Sequence, residues 1–135
     1  MYFVCSYTKK IYNNIKKPIT FSDIGKPLEV RYNWEGVTTD IDVDESQKTL
    51  WRYKSVLPKV NDIISLGEGY TPLQQVAPNL YVKNETVNPT GSFKDRGMSL
   101  AITLAKAQGV EEICLPSAGN AGISAAAYCK AAGIK

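Results

Sequence analysis

A chain of 135 residues, 44% apolar and 21% charged, has the composition of an ordinary soluble globular protein with enough apolar mass for one core. Sixteen Lys and Arg against thirteen Asp and Glu leave a net charge of +3, and the basic residues are scattered apart from short pairs such as Lys9-Lys10 and Lys16-Lys17, too diffuse for a nucleic-acid footprint. Histidine is absent, which excludes His-based acid–base chemistry and His-ligated metals within this chain and makes lysine the leading candidate for chemistry near neutral pH.

The opening Met1-Tyr-Phe-Val-Cys-Ser6 turns polar by Lys9, so a signal peptide is not expected. No run approaches the roughly 18 consecutive apolar residues of a spanning helix. The reading is of a soluble, cytoplasmic protein with no membrane partner. Cys5, Cys114 and Cys129 lie far apart in no metal spacing, the last two inside apolar stretches, and are read as buried reduced thiols.

In chain order, residues 1–60 read as a β-rich segment of short strands and turns. Met1 to Val4 is one strand, and Pro27-Leu-Glu-Val-Arg-Tyr32 alternates as a half-buried strand should. Thr39 to Glu45 is an acidic connector leading to a short helix around Leu50 to Val56, which Pro58 ends. From residue 61 the texture changes. Leu80 to Lys83 is a strand, and Lys94 to Gln108 a helix with Met98, Ala101, Ile102 and Ala105 on its buried stripe and Gly109 as its left-handed terminator. Ile113 to Pro116 is a second strand. Ala121 to Ala132 is a second helix, with Ile123, Ala126 and Ala127 on one face and Gly133 at its end.

Strand, helix, strand, helix is the order of a parallel α/β sheet. A third strand is expected to begin at Ile134-Lys135, where the chain ends, so the sequence reads as the truncated first part of such a domain, residues 61–135.

The chemistry concentrates in Asn88-Pro-Thr-Gly-Ser-Phe-Lys-Asp-Arg-Gly97. Pro89 and Gly91 make a turn, and Ser92 with Asp95 three residues on resembles a capping box. Lys94 then falls in the first helical turn, where the positive end of the helix, with burial, favours the neutral amine needed for Schiff-base chemistry. A solvated lysine at an exposed helix start is the plainer alternative. Pro116-Ser-Ala-Gly-Asn-Ala-Gly122 follows a strand and opens a helix, so it offers free backbone N–H groups and a positive dipole end to an anion. Ser117 and Asn120 add hydrogen-bonding side chains. The plainer reading is that Gly119 and Gly122 merely permit a tight turn. Nothing matches a Walker loop or a GxGxxG fingerprint.

Together Trp51-Arg-Tyr-Lys-Ser-Val-Leu-Pro58, Leu66-Gly-Glu-Gly-Tyr-Thr-Pro-Leu73, Lys83-Asn-Glu85, the Asn88 to Met98 segment and Ser117-Ala-Gly-Asn-Ala-Gly122 resemble, in order and approximate spacing, the threonine synthases. These belong to the tryptophan synthase β-like enzymes of pyridoxal phosphate (PLP), fold type II. The resemblance implies a three-layer α/β domain with a parallel sheet and the cofactor PLP, held by Lys94 as a Schiff base, with the same lysine later moving protons at the substrate's carbons. It implies that Asn120 hydrogen-bonds the phenolic oxygen of PLP, that Phe93 sits beside its ring, and that Ser117, Ala118, Gly119, Asn120 and Ala121 hold the carboxylate of a small amino-acid substrate. The implied reaction converts O-phosphohomoserine and water to threonine and phosphate. A threonine dehydratase-like or cysteine synthase-like enzyme, and a non-catalytic remnant, stay open as alternatives, as does a homo-oligomer.

Two departures from the family matter. Relatives often begin with a zinc-ribbon-like segment carrying paired cysteines, but only Cys5 stands here, so the start reads as a degenerate ribbon and no metal is expected. The family's glycine loop for the cofactor phosphate and its residue facing the pyridine nitrogen lie further along, so these 135 residues alone are expected to bind PLP weakly and turn over little.

Overall fold

The computed structural model describes residues 1–13, 19–34 and 41–135; the Lys16-Lys17 pair and the Thr39-Asp40 start of the acidic connector lie outside the described residues. Met1–Ile41 and Asp42–Lys135 are two compact units. In the first, β1 (Tyr2–Cys5) lies between β2 (Ile11–Tyr12) and β3 (Leu28–Arg31) in an antiparallel sheet. The apolar run of β1 suits a central strand, since Phe3 stands opposite Tyr12 on one flank and Val30 on the other. Cys5 is fully buried at its end, with the Thr8 N–H donating to its sulfur at 3.4 Å.

The second unit takes in residues 42–60 together with the expected α/β portion, so the change of texture at residue 61 falls inside it. The reason is Trp51, which is buried and whose Nε1 donates to Ser99 Oγ at 2.8 Å, tying this stretch to a helix 48 residues on. The helix expected around Leu50 to Val56 is a single 3-10 turn, Leu50–Tyr53, capped by the Thr49 hydroxyl. Too few residues precede Pro58 to offset the cost of nucleating an α-helix. β4 (Leu73–Ala77) and β5 (Leu80–Lys83) then form an antiparallel hairpin around Pro78-Asn79, with Asn79 at φ 59°.

Two helices complete the unit, α1 (Lys94–Ala107) and α2 (Asn120–Ala132). Both stop at the expected glycine, Gly109 at φ 74° and Gly133 at φ 69°. The next N–H reaches back to satisfy a last-turn carbonyl, Val110 to Ala105 at 3.0 Å and Ile134 to Cys129 at 2.9 Å.

The buried faces differ from those expected. In α1, Ile102 is buried and Met98 and Ala105 pack partly against the core, but Ala101 is exposed. The stripe is Asp95, Ser99, Ile102 and Thr103. Its polar members are satisfied: Ser99 Oγ donates to the Ile64 carbonyl at 2.7 Å, and Thr103 Oγ1 accepts from the Ile64 N–H at 2.9 Å. In α2, Ile123 and Ala126 face out, and Ser124, Ala125, Tyr128, Cys129 and Ala132 face in. An almost wholly small or apolar helix has no polar side to fix its rotation, so hydrogen bonds fix it: Tyr128 OH to Glu68 Oε2 at 2.7 Å and Ser124 Oγ to Asp95 Oδ1 at 2.5 Å. Ile102, Tyr128, Cys129, Ala132 and Ile134 form the core cluster.

The strand expected at Ile113 to Pro116 does not form, and Cys114 is exposed rather than buried. What exists is one rung. Lys135 accepts from the Ile113 N–H at 2.8 Å and donates to the Glu111 carbonyl at 3.0 Å. One residue bonded to two that flank its neighbour is the pattern of a parallel pair. A single rung does not make a ladder, so the described sheets are both antiparallel.

Ser99→Ala leaves Trp51 Nε1 buried without its acceptor, and urea unfolding followed by tryptophan fluorescence is expected to show a loss of about 1–3 kcal/mol.

Candidate functional site

Pro89 and Gly91, the latter at φ 81°, turn the chain into α1 and place Lys94 as its first residue. Ser92 caps in part, its hydroxyl accepting from the Lys94 N–H at 3.3 Å. Lys94 is half-buried, and its Nζ lies 4.0 Å from the centroid of the exposed Phe93 ring. Among the described residues its Nζ has no hydrogen-bond acceptor and no ion pair, so the amine is held by packing and by the ring face.

Asp95 does not close a capping box with Ser92. It is fully buried and reaches further back, its carboxylate accepting from Thr90 N at 2.7 Å and Thr90 Oγ1 at 2.5 Å as well as from Ser124 Oγ of α2. Asp95 lies in the first turn of α1 and Ser124 one turn into α2, and further along Ile102 clusters with Tyr128, Cys129 and Ala132. The helices therefore run in the same direction with their heads side by side. This brings the Lys94 turn next to the start of α2, where the sequence leads one to expect an anion-binding loop.

That loop is open. Ser117, Ala118, Gly119 and Asn120 are exposed and Ala121 is half-buried. Ser117 Oγ accepts from the Gly119 N–H at 3.3 Å, and no side chain caps α2, which starts from Gly119. Its first N–H groups are left for a ligand or water. Gly122 is required by close approach, because a Cβ there would land on the carbonyl oxygen of Ser117. Lys94 and Asn120 share no hydrogen bond; they are neighbours through the Asp95–Ser124 tie.

A second knot braces the lysine segment from the other side. Arg96 donates through Nε and Nη2 to Glu85 Oε2 and Oε1 at 2.7 and 2.8 Å, and Thr71 Oγ1 adds a bond of 2.5 Å to Glu85. The Arg96 guanidinium, above all, holds the Glu85 carboxyl at about 2, well below its usual 4.5. Asn88, at the head of the motif, donates to the Glu85 carbonyl at 2.9 Å and accepts from the Gly69 N–H at 2.9 Å. Gly69, at φ 94°, can carry no side chain, since a Cβ would stand 2.7 Å from Leu50 N. Glu68 is fully buried and accepts from Ser65, Leu66 N and Tyr128; burial and this bond push the Tyr128 phenol above its ordinary range.

Sequence reasoning missed Asp95 as an organiser, together with Thr90, Ser124, Glu68 and the Glu85–Arg96 pair. Glu68, Glu85 and Arg96 stand inside the family-like motifs, but only contacts between distant segments assign them roles. Chemically, the arrangement offers a primary amine beside an aromatic face and, adjacent, a helix start with no side-chain cap.

A profile of the family described as pyridoxal-phosphate dependent enzyme matches residues 64–135. Among curated proteins, the chain is similar to the threonine synthase of Methanocaldococcus jannaschii, 40% identical over 84% of this chain and 31% of the relative. It is 48% identical to that of Bacillus sp. (strain ULM1) over 64% of this chain and 27% of the relative, and 44% identical to that of Mycobacterium tuberculosis (strain ATCC 25618 / H37Rv) over 61% and 25%. The chain thus spans less than a third of the length of these relatives.

This geometry has two measurable consequences. Gly122→Ala forces the Ser117 loop outward, and chemical denaturation is expected to show a loss of about 1–3 kcal/mol, with weaker PLP binding by absorbance titration. The depressed Glu85 pKa means that its contribution to stability is complete above about 4.5 and disappears as the pH falls toward about 2. An acid titration of the folded protein should therefore lose stability across that window, and Glu85→Gln should flatten this part of the curve.

Proposed function

The chain belongs to the pyridoxal-phosphate dependent enzymes, and from that premise we propose that it carries the lysine and carboxylate-loop portion of a threonine synthase active site, in the three-layer fold type II arrangement. The observation that carries this reading is the Asp95–Ser124 bond of 2.5 Å, which sets the head of α1, bearing Lys94, beside the uncapped head of α2.

The residues present fit the cofactor. An amine with no acceptor among the described residues stands beside an exposed aromatic ring, and a loop of small residues leaves room over the uncapped start of α2. Lys94 would hold PLP through its ε-amine, Phe93 would lie beside the ring, and Asn120 would donate its side-chain amide to the phenolic oxygen. When bound, PLP supplies an electron sink for charge developing at the substrate's carbons. The Ser117, Ala118, Gly119, Asn120 and Ala121 backbone and the Ser117 hydroxyl orient the substrate carboxylate at the positive end of α2. Lys94 takes and returns protons at the substrate's α- and β-carbons, and the Asp95 and Glu85 knots keep its turn in place.

The proposed reaction eliminates the γ-phosphate of O-phospho-L-homoserine and adds water at the β-carbon to give L-threonine. The similarity to threonine synthases of archaea and bacteria supports this substrate over those of a threonine dehydratase or cysteine synthase. Contacts to the cofactor's phosphate and ring nitrogen are assigned to segments other than these 135 residues, so the chain alone is read as inactive. A cytoplasmic setting goes with a PLP enzyme of amino-acid synthesis. Among the described residues no helix is long and apolar enough to cross a membrane.

With the whole protein loaded with PLP, borohydride should fix the cofactor onto Lys94, and phosphate should be released from O-phosphohomoserine. Lys94→Ala should abolish the labelling and lower phosphate release by about 10²–10⁴-fold or more. Ammonia from threonine, or acetate from O-acetylserine, in place of phosphate release would move the assignment to the dehydratase or cysteine synthase. Labelling absent or elsewhere would leave a non-catalytic remnant.

A further inference from the structure

A cavity of about 730 Å³ opens between the 3-10 turn Leu50–Tyr53, the Tyr70–Pro72 stretch, the end of β5 and α1. Arg52, Tyr53, Tyr70, Lys83 and Arg96 stand on its walls, and neither Phe93, Lys94 nor the Ser117–Ala121 loop lines it. It is therefore separate from the candidate PLP site, and its binding chemistry is independent of the threonine synthase reading.

Three cations face this space against one carboxylate, Glu85. Glu85 is already engaged by Nε and Nη2 of Arg96, and among the described residues Arg96 Nη1 has no hydrogen bond. Lys83 Nζ donates to a neutral acceptor, the Thr71 carbonyl, so its charge has no counter-ion there. Arg52 is the least satisfied. Its guanidinium stacks over the Tyr70 ring at 4.9 Å and the Tyr53 ring at 5.7 Å, and among the described residues it has no hydrogen bond or ion pair, its Nε being buried. Tyr70 holds its place at φ 50°, a conformation that a bulky side chain adopts only under constraint. A buried guanidinium N–H without an acceptor is rare in a folded protein.

We propose that this cavity is a binding site for the phosphate group of a small phosphorylated molecule. Two uncompensated positive charges match a dianion. Donors set on three walls exceed what the two oxygens of a planar carboxylate can use, whereas a tetrahedral phosphate offers oxygens in several directions. The volume is that of a small-molecule pocket rather than of a lone ion, so the phosphate carries an organic body that lies against the tyrosines.

The test uses the whole protein saturated with PLP, so that phosphate cannot compete at the cofactor site, and calorimetric titration with glycerol phosphate, inorganic phosphate and succinate. Glycerol phosphate should bind most tightly, inorganic phosphate more weakly and succinate least. Arg52→Met, which keeps the apolar stem, should weaken glycerol phosphate binding by about 10- to 100-fold while PLP absorbance stays as in the parent. If Arg52→Met fails to fold by circular dichroism, Arg52→Lys, which keeps the charge but loses the planar fork, should show at least about a tenfold loss. Binding unchanged in both variants, no heat with either phosphate, or succinate binding as tightly as glycerol phosphate would overturn the proposal. Inorganic phosphate binding as tightly as the ester would overturn the part that assigns an organic body.

Discussion

The second unit is organised around one buried carboxylate. Asp95 has no solvent exposure, and a carboxylate in that position is costly unless donors surround it. Thr90 supplies two, from backbone and hydroxyl, and Ser124 a third from the next helix. Satisfying Asp95 thus requires the turn before Lys94 to fold back and α2 to lie alongside α1 with its head level. The position of the lysine beside the uncapped head of α2 results from that requirement.

Glu68 and Glu85 repeat the device. Irregular stretches leave backbone N–H groups without ladder partners, and these must be satisfied from somewhere. Glu68 accepts from Leu66 N while tying the glycine-rich turn to Tyr128, and Glu85 gathers Arg96, Thr71 and Asn88 at the head of the lysine motif. Each carboxylate holds a loop against an element distant in sequence. Such bracing keeps a reactive group in one orientation, which loops alone do not. The Ser117–Asn120 loop has only a local side-chain bond and stays exposed.

Features governed by neighbours in the chain were legible before any fold was known. The glycine stops at 109 and 133, the extent of α1, the Leu80–Lys83 strand and the turn that delivers Lys94 all depend on backbone freedom and capping within a few residues. The buried faces were not legible. The stripe of α1 is half polar, and periodicity of apolar residues cannot find Ser99 or Thr103, whose burial depends on Trp51 and Ile64. In α2, small residues on nearly every side give no preferred rotation, and Ile123, expected on the buried face, lies outward. The Ile113–Pro116 stretch has the composition of a strand but only one rung of partner, and pairing is a property of two segments.

By itself, the sequence determined the chemistry available: a lysine opening a helix, a small-residue loop opening another, and motifs in an order that marks a PLP enzyme. These are properties of residue type and local backbone, which short segments carry wherever they sit. Only the tertiary structure decided that the two helix heads are adjacent, that Asp95 rather than Ser92 anchors the lysine turn, and that the buried Nε of Arg52 has no hydrogen-bond partner among the described residues. The physical reason is that burial and hydrogen-bond satisfaction are settled between segments far apart in the chain, and a linear pattern holds no record of which donor meets which acceptor.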